Sequence, residues 1–114
     1  DVAELISHML TDSGFRTDIA YSAEQAMLLL EQNKYAAITL DLILPGISGT
    51  EFINKIRQNR TTSQIPILVI SAKIERRSSL KNQKMTNCQW IRKPFEKEEL
   101  ASAIEKLLIK DKLY

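Results

Sequence analysis

Two short, almost unbroken apolar runs constrain this chain more than any other feature. Tyr35 to Leu40 reads YAAITL and ends at Asp41, and Ile67 to Ile70 reads ILVI and ends at Ser71-Ala72. A strand with one wet face alternates apolar and polar residues. A run without that alternation fits a strand covered on both faces, as in a parallel sheet with helices above and below. Helical patterns separate the runs. Val2 to Ser13 places Val2, Leu5, Ile6, Met9 and Leu10 on one stripe and closes at Gly14, where a left-handed backbone costs nothing. Ser22 opens a second helix with Gln25 at capping-box spacing, and Ala23, Ala26, Met27, Leu29 and Leu30 follow before it ends near Gln32-Asn33.

Between these two helices, Arg16 to Tyr21 is β-inclined, with Thr17, Ile19 and Tyr21 alternating. Beyond Asp41, a loop with Pro45, Gly46 and Gly49 leads into a helix from Thr50 to Gln58 with Phe52, Ile53 and Ile56 inward. A weaker helix is expected from Glu75 to Lys84, a strand from Gln89 to Arg92, and a final helix from Glu96 to Lys110. The order is then α-β-α-β-α-β-α-β-α, which makes an open parallel sheet with helices on both faces the economical architecture.

Length fits one domain over residues 1–114. Apolar residues at 44% and charged residues at 26% exclude a disordered tail. No apolar run nears the roughly 20 residues of a membrane helix, and the acidic start does not resemble a signal peptide. A lone Cys88 forms neither an internal disulfide nor a zinc site, so a reducing, cytoplasmic setting is expected. A net charge of +2 is too mild to point to nucleic acid.

Open α/β sheets bind ligands outside the carboxyl ends of their strands. Here those ends carry Asp41, Ser71 and Lys93. Singly each is commonplace: a helix cap, a loop hydroxyl, a surface charge. Together a carboxylate, a hydroxyl and an ammonium on one rim suit a phosphoryl group, the first as nucleophile or hard-metal ligand and the others on its oxygens.

With those residues in view, the run Asp41-Leu42-Ile43-Leu44-Pro45-Gly46-Ile47-Ser48-Gly49 resembles the D-x-x-x-P-x-x-x-G segment of two-component response-regulator receiver domains. Ser71-Ala72 resembles their switch Thr/Ser-Ala, and Lys93-Pro94-Phe95 their Lys-Pro-Phe. The resemblance spans the whole chain. It implies a flavodoxin-like, doubly wound, three-layer α/β/α fold of strand order 2-1-3-4-5. It implies that Asp41 accepts phosphate from a histidine kinase or phosphotransfer protein, that Ser71 bonds the phosphoryl oxygens, and that Lys93 pairs with the aspartyl phosphate. Mg²⁺ would be held by Asp41 and the backbone carbonyl of Ile43. Trp90 stands at the family's switch aromatic, although packing against a helix explains it equally well. Signalling would run through the face of the fourth helix, last strand and last helix to an output or effector domain, with a phosphorylation-dependent dimer as one form. Neither nucleic acid nor membrane would touch the domain directly. The host could be a stand-alone regulator, a DNA-binding regulator or a hybrid histidine kinase.

The pattern departs from the family at its start. A first strand ending in an acidic pair that binds Mg²⁺ should precede the helix that Asp1 opens, so the chain is expected to be a piece of a longer polypeptide. The alternative is a phosphorylation-independent pseudo-receiver, a protein-protein interaction module. Ile43 and Lys73 carry neither carboxylate nor amide to position an attacking water, which implies slow loss of phosphate. Lys73, Arg76, Arg77, Lys81 and Lys84 form a basic run read first as a solvated face and second as a site for an acidic partner. His8 is expected on the surface, and Cys88 as a small buried filler.

Overall fold

The computed structural model describes residues 2–42, 47–71 and 87–112. The elements are α1 (Val2–Asp12), α2 (Ala23–Gln32), β1 (Ile38–Leu42), α3 (Ile47–Gln58), β2 (Ile67–Ser71), β3 (Cys88–Arg92) and α4 (Lys97–Lys112). The three strands pair in parallel in the order β1-β2-β3, with Ile38 opposite Ile67 and Ile67 opposite Cys88. This is the receiver-like, flavodoxin-type α/β arrangement implied by the sequence.

Strand side chains alternate between the two faces and so sort the core into two. Leu68, Ile70 and Ile91 meet Ile6 and Leu10 of α1 and Leu100, Ile104 and Leu107 of α4. Ile67 and Val69 meet Phe52, Ile53 and Ile56 of α3, with Ala26, Met27 and Leu30 of α2 packed at the margin. All four residues Ile67–Ile70 are fully buried, which is why ILVI shows no polar break.

Local chemistry sets the helix ends. Gly14 takes φ +97°, Phe15 N–H bonds Leu10 O at 3.0 Å and Gly14 N–H bonds Thr11 O at 3.0 Å. This is a Schellman ending, with Phe15 packed on the core that holds Leu10. Ser22 Oγ accepts from Gln25 N–H at 3.1 Å, while Gln25 Oε1 accepts from Tyr21 N–H at 2.8 Å, one residue before the cap. Thr62, itself buried, donates its hydroxyl to Ile56 O at 2.7 Å near the end of α3. Thr62→Val keeps the shape and leaves that carbonyl short of a donor; urea unfolding is expected to show a loss of about 1–3 kcal/mol.

Three expectations differ from the structure. Arg16–Tyr21 belongs to no ladder and Tyr21 sits in a bend, because β-inclined residues make a strand only against a hydrogen-bonding edge and no described strand pairs with them. β1 starts later and ends later than the apolar run, so Asp41 sits inside the strand. Helix α3 begins at Ile47, before the expected Thr50. The weaker helix from Glu75 to Lys84 and its basic run lie outside the described residues. Among the described residues no helix is long and apolar enough to cross a membrane.

Candidate functional site

The rim at the carboxyl ends of the strands is built by register. Asp41 lies opposite Ile70, which lies opposite Ile91, so these three side chains project to the α1/α4 face. Lys93 comes two residues after Ile91 and keeps that parity. Its ammonium meets Asp41 as a result: Lys93 Nζ is 2.6 Å from Asp41 Oδ1, with the side chains 26% and 15% exposed. The contact is an ion pair by distance without the angles of a hydrogen bond. Asp41 Oδ2 is buried and has no hydrogen-bond partner among the described residues. A half-desolvated carboxylate with one uncommitted oxygen is primed for a cation or an electrophile.

Ser71, the last residue of β2, is buried to 4% exposure. Its backbone carbonyl accepts from Lys93 N–H at 3.0 Å, fastening the segment after β3 to the end of β2. By alternation it belongs with Ile67 and Val69 on the α3 face, the face that also carries Trp90, opposite Val69. Asp41 and Lys93 thus occupy one side of the rim and Ser71 and Trp90 the other. Trp90 is half-buried against the α3 core, as the packing explanation required, and stands diagonal to Ser71 across the β2-β3 pair. Phe95 packs on the α1/α4 core just after Lys93-Pro94 and anchors the turn that delivers the ammonium.

Ile43, Ala72 and Lys73 lie outside the described residues. Among the described residues no three His, Cys, Asp or Glu side chains converge as a metal cluster. His8 is exposed on α1. Cys88 is half-buried at the opposite end of β3; burial pushes its thiol up, and the Arg57 guanidinium 3.8 Å away partly offsets this. It packs at the margin of the α3 core, half-buried rather than the buried filler expected. No sequence signal pointed to Arg57, whose Nη1 also donates to Thr62 O and Ser63 O and so braces the loop before β2.

The family model for the response regulator receiver domain matches residues 1–105. Response regulator ArlR of Staphylococcus saprophyticus is 34% identical over 108 residues, covering 95% of this chain and 48% of the relative. The chain spans about half the length of the curated relatives it matches. Among solved structures, a sensor protein from Polaromonas sp. JS666 superposes with a TM-score of 0.84 at 29% identity, over 96% of this chain and 89% of that one. The receiver domain of sensor histidine kinase PA1611 from Pseudomonas aeruginosa PAO1, with a magnesium ion coordinated in its active-site cleft, superposes at 0.77 with 25% identity, over 92% and 86%.

Proposed function

This chain belongs to the response regulator receiver domains of two-component systems, and from that we propose that it takes a phosphoryl group onto Asp41 from a histidine kinase or phosphotransfer protein. The observation that carries the reading is the buried Asp41 carboxylate, one oxygen against Lys93 and the other without a hydrogen-bond partner among the described residues. Receiver domains are signalling domains rather than classical enzymes, and this one is read as a switch that is charged and discharged in the cytoplasm.

The chemistry follows from charge. An Asp41 oxygen forms a bond to phosphorus as the phosphorus–nitrogen bond of a donor phosphohistidine breaks and its electron pair returns to the imidazole. Lys93 stays within reach of the negative charge spread over the transferring group, and such preset charges supply most of the catalysis in phosphoryl transfer. A hard cation such as Mg²⁺ suits the Asp41 oxygen that has no hydrogen-bond partner among the described residues, in a site that the acidic pair expected upstream would complete. Asp41 and the Ile43 carbonyl would hold it, and it would add charge neutralisation. The Ser71 hydroxyl is assigned to a phosphoryl oxygen. Its movement would then reach Trp90, which shares its face of the sheet, and alter the surface of β3 and α4 that meets an output domain or a second receiver. Such a change is a population shift between two packed states.

The test is intact mass after incubation with acetyl phosphate and Mg²⁺. A gain of about 80 Da is expected, absent without Mg²⁺ and absent in Asp41→Asn. No gain in a polypeptide that carries the expected upstream acidic pair would favour the phosphorylation-independent binding module instead.

A further inference from the structure

Register puts a second cation on the rim, on the side away from Asp41. Arg92 ends β3 directly opposite Ser71, which ends β2. Neighbouring strands run about 5 Å apart, and paired residues project to the same face. Arg92 therefore shares a face with Ser71 and Trp90, whereas Lys93, the next residue, turns to Asp41. Ser71 is buried and Arg92 is exposed, so the guanidinium stands outside the hydroxyl. Among the described residues the Lys93 ammonium is committed to Asp41. The Arg92 guanidinium joins no hydrogen bond or ion pair among them, even with Glu96, Glu98 and Glu99 at the start of α4.

We propose that Arg92 receives the phosphodonor: its guanidinium takes the donor's phosphoryl oxygens from Ser71's side while Lys93 faces them from Asp41's side. The inference rests on the reading of Asp41 as phosphoacceptor and adds the residue that binds what Asp41 attacks. A guanidinium carries five N–H donors in a fixed plane, matches two phosphoryl oxygens at once and stays charged throughout the range in which proteins fold. Arg92 breaks no side-chain bond among the described residues to do this. Lys93 is already paired, so it neutralises charge during the transfer and contributes less to first capture. The ligand class is a doubly charged phosphoryl group, for which acetyl phosphate is the probe.

Uptake from acetyl phosphate with Mg²⁺, followed by intact mass in a polypeptide that carries the expected upstream acidic pair, tests this. Arg92→Gln is expected to lower the second-order rate constant about three- to tenfold, the scale of a charged hydrogen bond lost at an exposed site. Arg92→Lys keeps the charge without the fork and should fall between the two. Arg60→Gln removes an equal charge just past the end of α3, far from the rim, and should leave the rate unchanged. Emission of Trp90, the one tryptophan, checks that Arg92→Gln keeps its urea midpoint. A rate for Arg92→Gln within twofold of the unaltered protein would overturn the proposal. So would equal slowing by Arg60→Gln, which would mean that net charge matters rather than a placed group. No mass gain in the unaltered polypeptide would instead overturn the phosphoacceptor reading, and this inference with it.

Discussion

Lys93→Met is expected to slow phosphoryl uptake at Asp41 by about 10²–10³-fold, the scale seen when one preset charge or donor is removed from a reacting oxyanion. The reason is positional. Lys93 reaches Asp41 because its backbone is fastened to Ser71 and its turn is anchored by Phe95, so the ammonium is in place before any phosphoryl group arrives. The same substitution leaves a carboxylate that is only 15% exposed without its cation. Complete burial would make that loss about 3–5 kcal/mol; with both partners partly in solvent, about 1–2 kcal/mol is expected. Adding Asp41→Asn to Lys93→Met should recover most of that stability and none of the uptake. Acetyl phosphate time courses followed by mass, together with urea midpoints of the three variants, check both parts. Uptake by Lys93→Met within tenfold of the unaltered chain would remove Lys93 from the reaction.

The largest stability effect is expected at Ile53→Ala. Ile53 has no exposed surface and touches the core shared by α3 and β2, where Phe52, Ile56, Ile67 and Val69 leave it no solvent to fall back on. Deleting its outer carbons removes their transfer energy and leaves a cavity, together about 2–5 kcal/mol. Against the 5–15 kcal/mol typical of a whole domain this is a large share. Denaturant unfolding measures it. A loss below about 1 kcal/mol would mean that the α3 face collapses around the gap rather than holding its shape.

What the sequence made legible was local or was buried on both sides. The ILVI run announced β2 because every one of its side chains is covered, and Gly14 and the Ser22–Gln25 pair announced helix ends because their chemistry is complete within a few residues. Asn87 takes φ +56° just before β3, a left-handed turn that asparagine tolerates better than most residues. Arg16–Tyr21 was misread because strand formation is a property of two segments, and propensity describes only one. Within the site, the residues Asp41, Ser71 and Lys93 were visible as strand-end polar groups. Their division between two faces of the sheet was not, because it depends on register: shifting β1 by one residue would send Asp41 to the α3 side. The hydrogen bonds from Tyr21 Oη to Glu4 and from Tyr35 Oη to Asp18 were equally invisible, since each joins residues 17 positions apart with no sequence signature.

The decisive measurement is the location of the phosphoryl group. After reaction with acetyl phosphate and Mg²⁺, borohydride reduces an aspartyl phosphate to homoserine, and tandem mass spectrometry of the digested chain reads which residue has changed. Homoserine at position 41, and at no other aspartate, is the expected result. A phosphoryl group that survives on His8 or Ser71, or homoserine at Asp12 or Asp18 with Asp41 intact, would contradict the assignment of Asp41 as the acceptor.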